Sequence, residues 1–306
     1  FENMSSALDE MLTNISKDGF KHKYWRANRK HISEVLISFS SPWFMSKTKH
    51  IQVKHDKDFI VTEDFLAEVI ENEKKSFEKE MGLDLSNDSF ELVEKSILRI
   101  RVNGYVLENA IGQSTRALDA SLSMSIVSKT VMAKVRSSIS KHTHLGEENI
   151  IVHTFPVISF AVLRELFTNN SNFLIMDVTS EVTDVTLVSG DIIKATGSFP
   201  SGRNFIIRQI SKVFGVPIEV AQSHLSMYNS QKLDKETSVE IEKVINDIEK
   251  EWSIYLEKTL VDIADGEHLP SRVYMTSDTD VSEIYSYFLR TPKADATSTF
   301  RKNVEI

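Results

Sequence analysis

Residues 173–202, FLIMDVTSEVTDVTLVSGDIIKATGSFPSG, constrain the fold of this chain more than any other segment. Short apolar or alternating runs are separated here by turn-forming residues, a pattern typical of strands joined by tight turns. Asp177 lies at the end of the first run, and Asp184 opens the second. We therefore predict three strands with one acidic residue on either side of the first turn. The predicted strands are 173–178, 184–188 and 192–199, and the turns are 179–182 and 189–191.

The bulk composition sets outer limits on the fold and the function. The chain has 306 residues, 41% apolar and 26% charged, which is enough for two domains with proper cores. A net charge of −8 argues against general nucleic-acid binding, and the absence of cysteine excludes disulfides and thiol chemistry.

His142 and His144 form a His-x-His pair that we interpret as a solvated loop, because zinc needs three or four ligands. Since the chain opens on Phe1 within a helical pattern, we expect it to belong to a longer protein.

Hydrophobic periodicity predicts a mixed α/β order without strict alternation of strands and helices. The longest helix, 237–263, carries an apolar stripe that we expect to be core rather than a partner surface. Thr62 is the predicted N-cap of a helix that ends near Lys79, and Asn103-Gly104 predicts a hairpin turn. The other predicted helices are 7–15 (ending at Gly19), 131–140, 156–167, 204–214, 218–228 and 281–289; the other strands are 32–39, 47–53, 92–102, 105–107, 117–127, 150–153 and 272–275.

Residues 177–184, DVTSEVTD, resemble the second phosphate loop of the actin/Hsp70/FtsA superfamily, Asp-x-Gly-x-Gly-Thr-Thr-Asp. Both aspartates and Thr183 are retained, whereas Thr179 and Glu181 stand in place of the two glycines. Glycine lets the backbone approach a phosphate closely. Glu181 adds a negative charge where a polyanion should sit. The resemblance therefore implies the fold but an impaired nucleotide site.

Two further segments extend the resemblance to the bacterial actin-like proteins FtsA and PilM over nearly the full chain. Residues 102–112, VNGYVLENAIG, are similar to the hairpin of the family's SHS2 insert. Residues 197–204, GSFPSGRN, with the helices that follow, are similar to the family's Pro-x-Gly-Gly segment. The match departs again at Gln222 and Leu225, where the family has a glutamate and a lysine that contact the nucleoside, and at 276–279, which lack the glycines of the adenosine loop.

The resemblance implies an α/β, actin-like ATPase (ribonuclease H-like) fold with an inserted SHS2 module. In the implied organisation, residues 1–50 and 151–172 are the two segments of the first actin-like subdomain, 51–150 are the SHS2-like insert between them, and 173–306 are the second actin-like domain. The implied cofactors are ATP and Mg²⁺, with Asp177 as the metal-holding residue when Mg-ATP binds. The implied nucleotide-binding residues are Asp177, Thr179, Ser180, Thr183, Asp184, Gly202, Gln222, Thr276 and Ser277.

Each implied role has a simpler structural alternative. Asp177 and Gly202 have the residue types of ordinary turns, and Asp184 is interpreted as structural. No catalytic residue is assigned, and the sequence leaves open whether the protein is an enzyme. The charge-dense helix 71–80 is interpreted as a solvated face.

The resemblance implies a cytoplasmic scaffold at the inner face of the cell membrane, with impaired or absent ATP hydrolysis. An FtsA-like role in cell division is the first hypothesis, and a PilM-like platform for type IV pilus or type II secretion assembly is the alternative. A nucleotide-gated actin-like ATPase and, more weakly, a sugar-kinase-like enzyme stay open. We expect division or pilus-assembly partners to bind through residues 51–150, with self-association as an option, no nucleic acid, and membrane contact made indirectly or through termini beyond residues 1–306.

Overall fold

The computed structural model describes residues 2–18, 32–80, 89–107, 109–266 and 268–291, which fall into two compact units, 1–158 and 159–306. Gly19, the predicted end of the first helix, and Glu108, within the matched hairpin, lie outside the described residues. The finer boundaries at 50, 150 and 172 stay predictions. No helix in the described portion of the chain is long and apolar enough to cross a membrane.

The first unit combines two sheets with helices. A small parallel sheet pairs β1 with β6, and an antiparallel sheet has the strand order β2-β5-β3-β4. Most of the predicted elements in this unit are present, although the strands of the larger sheet are longer than predicted. The elements are α1 (Glu2–Asp18), β1 (Val35–Phe39), β2 (Phe44–Ile60), α2 (Glu63–Glu80), β3 (Phe90–Val102), β4 (Tyr105–Leu107), β5 (Ser114–Ser128), α3 (Lys129–Thr143) and β6 (Ile150–Thr154). The next helix, α4 (Phe155–Leu166), begins in the first unit and ends in the second.

The helix cap and the hairpin turn that the sequence predicts in this unit are both present. The Thr62 hydroxyl accepts a hydrogen bond from the backbone N–H of Phe65 at 3.1 Å, so Thr62 caps the N-terminus of α2. Asn103 and Gly104 both have positive φ, 51° and 86°, and they join Val102 of β3 to Tyr105 of β4. This geometry is that of a two-residue hairpin turn with both central residues left-handed, which an Asn-Gly pair tolerates at low cost.

A buried carboxylate joins the two sheets of the first unit. Glu94, which is 3% exposed, lies on β3 directly after a bulge in its pairing with β5. Its oxygens accept hydrogen bonds from the hydroxyl of Thr154 at 2.6 Å and the hydroxyl of Ser125 at 3.2 Å, and Nδ1 of His153 lies 2.8 Å away. Because burying an unpaired carboxylate is costly, these partners hold β6 beside the larger sheet.

The second unit is a four-stranded sheet packed against helices. The strand order is β10-β7-β8-β9, with β10 parallel to β7 and the other pairs antiparallel, so the three strands predicted within 173–202 are confirmed. The elements are β7 (Phe173–Val178), β8 (Thr183–Ser189), β9 (Ile192–Phe199), α5 (Arg203–Phe214), α6 (Ile218–Asn229), α7 (Lys235–Ala264), β10 (Val273–Ser277) and α8 (Ser282–Arg290).

The apolar stripe of α7 forms the centre of the second core, as predicted. Trp252 is fully buried, and its ring centroid lies 5.8 Å from Phe199, 5.7 Å from Tyr285 and 5.6 Å from Phe288. These contacts join α7 to β9 and α8, so one side chain connects the sheet with two helices.

We expect Trp252→Ala to destabilise the second unit by about 3–5 kcal/mol, because the substitution removes a buried indole and leaves a cavity. Ile254→Ala is the matched control on the same helix, since Ile254 is 67% exposed and should cost less than about 0.5 kcal/mol. Urea unfolding followed by near-ultraviolet circular dichroism measures both free energies. If both substitutions lowered the free energy of unfolding equally, Trp252 would lie outside the core.

Candidate functional site

The loop 179–182 between β7 and β8 is closed by its own hydrogen bonds. The backbone N–H of Thr179 donates to the carbonyl of Val182 at 2.9 Å, and the N–H of Val182 donates to the Thr179 hydroxyl oxygen at 3.2 Å. The Thr179 hydroxyl in turn donates to the carbonyl of Val182 at 2.9 Å. The side chain that replaces the first glycine of the family pattern therefore stabilises the loop internally.

The N-terminus of α5 is used by the same loop. The backbone N–H of Arg203 donates to the carbonyl of Thr179 at 3.0 Å, and the N–H of Asn204 donates to the carbonyl of Ser180 at 2.7 Å. The next N–H, that of Phe205, donates to the carbonyl of Gly202 at 3.0 Å. The first N–H groups of a helix are otherwise available to bind an anion. Here they bind the chain's own carbonyls.

Gly202 permits this close approach. A Cβ built on Gly202 would lie 2.3 Å from the carbonyl oxygen of Thr179, 2.7 Å from the nitrogen of Val182 and 2.8 Å from the nitrogen of Glu181. All three are backbone atoms of the loop, so no side-chain movement relieves the clash. The backbone that Gly202 allows to approach is that of the 179–182 loop.

Glu181 is paired with a cation and an amide on α5. Its carboxylate accepts hydrogen bonds from Arg208 Nη1 at 2.8 Å and from Asn204 Nδ2 at 2.8 Å. Partial burial raises the pKa of Glu181, but the hydrogen bonds from Asn204 and Arg208 and the charge of Arg208 outweigh burial, so its pKa lies below the ordinary value. The carboxylate is therefore ionised at neutral pH and lies at the N-terminal end of α5.

Arg203 joins the start of α5 to the segment between β10 and α8. Its Nε lies 2.9 Å from Oδ1 of Asp280 and its Nη2 lies 2.6 Å from Oδ2, a bidentate pair, and Asp278 lies 3.5 Å away. The hydrogen bond to Asp280 raises the pKa of Arg203 above its ordinary value, against the effect of burial. The side-chain amide of Asn229, at the end of α6, donates to the carbonyl of Asp280.

Three of the residues predicted for the site lie in one row across the sheet. Asp177 of β7 pairs in register with Asp184 of β8 on one side and with Thr276 of β10 on the other. The Thr276 hydroxyl donates to Oδ1 of Asp177 at 2.7 Å, and the Ser198 hydroxyl donates to Oδ1 of Asp184, which is 2% exposed. Asp184 is thus buried in the sheet, in agreement with its structural interpretation, whereas Asp177 is half-buried.

The remaining predicted residues are dispersed. The Thr183 hydroxyl is buried and donates to the carbonyl of Ser201 at 2.6 Å, while Ser277 ends β10 beside Val178. Gln222 lies exposed on α6, and no hydrogen bond within the described residues joins it to the loop. Leu225, three residues later, is fully buried in the core of the second unit, so its side chain is not accessible to a ligand. Over the stretches of chain that the structure describes, no group of three or more His, Asp or Glu residues could hold a metal ion.

A cavity of about 860 Å³ opens in the second unit beside the Arg203–Asp280 pair. Its walls come from the end of α6, the connection to α7, the first turns of α7, the connection from β10 to α8, and α8 itself. This volume is within the usual range for small-molecule sites. Of the segment matched to the adenosine loop, only Thr279 reaches the cavity, and none of the predicted nucleotide-binding residues lines it.

Comparison with solved structures identifies the fold. The chain matches a structure titled "PilM-PilN type IV pilus biogenesis complex" with a TM-score of 0.63 at 15% sequence identity, over 95% of this chain and 73% of that one. The fold is that of the actin-like ATPases. A second match is the ethanolamine utilization protein EutJ from Carboxydothermus hydrogenoformans, with 16% identity and a TM-score of 0.36 over 51% of this chain and 52% of that chain. A third is MreB 5 of Spiroplasma citri bound to AMPPNP, with 14% identity and a TM-score of 0.36 over 49% of this chain and 54% of that chain. No protein-family model matches the chain, and no curated protein matches its sequence.

Sequence reasoning missed the residues that close the 179–182 loop from outside. Asn204 and Arg208 are four residues apart on α5, so their common face is readable, but nothing nearby indicates Glu181 as their partner 23 and 27 residues away. Arg203 and Asp280 are 77 residues apart, and no spacing rule connects them. The cavity carries no sequence signal, because its walls come from three helices and two connections.

We expect Gly202→Ala to destabilise the second unit by about 1–3 kcal/mol, because the added methyl group meets three backbone atoms. Hydrogen exchange at the amides of Arg203 and Asn204 should accelerate as the loop separates from α5. Gly146→Ala is the matched control, since its Cβ would meet only the side chain of the exposed Glu148. That control should change stability by less than about 0.5 kcal/mol. Unchanged exchange in Gly202→Ala would contradict the close approach.

Proposed function

We propose that this chain is an actin-like scaffold protein whose work does not depend on ATP hydrolysis. One observation carries the proposal: the N–H groups that begin α5 bind the carbonyls of Thr179 and Ser180. In a nucleotide-binding loop, such N–H groups would be directed to phosphate oxygens. A triphosphate would therefore have to displace hydrogen bonds that the loop already makes.

The charges around the loop also oppose a polyanion. Arg208 is paired with Glu181, and Arg203 with Asp280, so both nearby cations are already neutralised by carboxylates. Asp177 places a further carboxyl group on the loop side. Repulsion between like charges a few ångströms apart costs on the order of 1–4 kcal/mol per pair near a protein surface. Mg-ATP thus does not fit the loop in this arrangement, and we assign it no catalytic role.

Among scaffold roles, we favour a PilM-like platform for pilus or secretion assembly. The supporting observation is the match over 95% of the chain to a structure from the PilM–PilN complex. An FtsA-like division role, which is the first hypothesis from the sequence, and a nucleotide-gated ATPase have no comparable support. A cytoplasmic position at the inner face of the membrane, reached through a membrane-anchored partner, belongs to this proposal.

We expect MgATP to bind the unaltered chain with a Kd above about 0.1 mM in isothermal titration calorimetry. Glu181→Gly should improve that affinity by about two- to ten-fold, because it removes one negative charge and releases Arg208 from its ion pair. Asp191→Gly is the matched control, since it removes the same charge at the turn between β8 and β9.

The control separates a local effect from net charge. An equal gain from Asp191→Gly would show that the loop has no special position relative to phosphate. Micromolar affinity in the unaltered chain, about −8 kcal/mol, would contradict the proposal of an impaired site.

We further propose that the SHS2-like insert, residues 51–150, contacts the partner protein. Its β3–β4 hairpin carries apolar side chains in solvent: Tyr105 is 77% exposed and Val106 is 56% exposed. Ile111, in the next turn, is 43% exposed. Exposed apolar residues grouped on one hairpin are typical of interaction surfaces. Point variants test this surface better than a deletion, because the sheet begins at Phe44, before residue 51.

We expect a photo-crosslinking amino acid at position 105, introduced in the native cell, to capture a membrane-anchored assembly protein. The same amino acid at Val213, which is 59% exposed on α5, is the control and should not capture that protein. Tyr105→Ser with Val106→Ser should reduce the amount of the captured protein that co-purifies, without changing the unfolding curve, since both residues are exposed. Capture of the same protein from position 213 alone would move the interface to the second unit.

A further inference from the structure

The cavity in the second unit has aromatic walls and an apolar floor. Tyr228 of α6 and Tyr287 of α8 line it, and Tyr287 is 51% exposed. Ile245 and Ile284, only 5% and 6% exposed, form the apolar portion of the lining together with Leu233. Aromatic and apolar walls weaken the competition from water for a ligand that enters.

The charged groups of this cavity are predominantly acidic. Glu242 of α7 and Glu283 of α8 line it, and neither forms an ion pair with any other residue that the structure describes. Asp280 also lines it but is neutralised by Arg203, and Lys235 is the lone basic side chain among the lining residues. Among the described residues that line it, the cavity therefore has an excess of negative charge.

The acidic and aromatic groups of the cavity lie close together, because Glu242 and Tyr287 both affect Tyr228. Partial burial raises the pKa of Tyr228, and the charge of Glu242 and the proximity of Tyr287 raise it further. The Tyr228 hydroxyl therefore experiences the negative potential of Glu242. The electron-rich face of a tyrosine ring together with a carboxylate is a favourable environment for an organic cation.

We propose that this cavity binds an organic cation, a guanidinium or alkylammonium group, against the rings of Tyr228 and Tyr287, with Glu242 and Glu283 as its counter-charges. The apolar portion of the ligand would lie on Ile245 and Ile284. An anionic ligand would face the carboxylates of Glu242 and Glu283, so the same charges that attract a cation discriminate against phosphate-bearing molecules. The inference is independent of the scaffold proposal, because it uses none of the loop or hairpin residues.

Agmatine, which carries a guanidinium and an ammonium group, is the probe. We expect it to bind the unaltered chain in isothermal titration calorimetry at low ionic strength, with affinity that falls as salt is raised. Glu242→Gln and Glu283→Gln should each weaken binding about two- to five-fold, and Tyr287→Ala should weaken it by a similar factor. Glu251→Gln is the matched control: Glu251 is an exposed residue of α7 outside the cavity, and its substitution should leave binding unchanged.

A second arm distinguishes the sources of the cation. A blocked Gly-Arg-Gly peptide that binds more tightly than agmatine would indicate a protein side chain as the ligand, whereas tighter binding of agmatine would indicate a free small molecule. Either result supports the proposal if Glu242→Gln weakens the binding of the tighter ligand. The proposal is overturned if agmatine does not bind, if Glu251→Gln weakens binding as much as Glu242→Gln, or if adenosine competes with agmatine and binds more tightly.

Discussion

The contact between the 179–182 loop and the first turn of α5 is the constraint on which the second unit depends. It requires a residue without a side chain at Gly202, because any Cβ would enter the loop backbone. Once the two backbones meet, the carbonyls of Thr179 and Ser180 complete the start of the helix. Arg203, the first residue of that helix, then ties the segment after β10 to the same place through Asp280. The first turn of α5 thereby contacts both the 179–182 loop and the segment after β10.

In this arrangement, polar groups around the 179–182 loop are paired within the protein. The N–H groups of α5 and the two nearby arginines are satisfied by the protein itself, and a buried or partly buried polar group that is already paired gains little from a new ligand. At the neighbouring cavity, Glu242 and Glu283 form no ion pair with the other residues that the structure describes. Two regions of one unit thus differ in the sign of the ligand they favour, because pairing within the chain neutralised one and left the other acidic.

In the first unit, local sequence patterns determine where a helix begins and where a hairpin turns. Thr62 caps α2, and Asn103 with Gly104 turns the hairpin, since each depends on contacts within a few residues. The junction between the two sheets was not predictable in the same way. Glu94 finds its partners on strands 31 and 59–60 residues away, and in the sequence it is one acidic residue in an alternating strand. Only the folded chain shows that its carboxylate is buried.

The sequence by itself determined the order of strands and helices, the hairpins of residues 173–199 and the core stripe of α7, and its motifs indicated the actin-like fold. These follow from periodicity, turn chemistry and short motifs, all of which act between residues close in the chain. The tertiary structure decided what surrounds the 179–182 loop: Glu181 pairs with Arg208, Arg203 pairs with Asp280, and Leu225 is buried in the core. It also formed the cavity. Such pairings join residues that are distant in sequence, and their geometry exists only after the sheet and helices have packed.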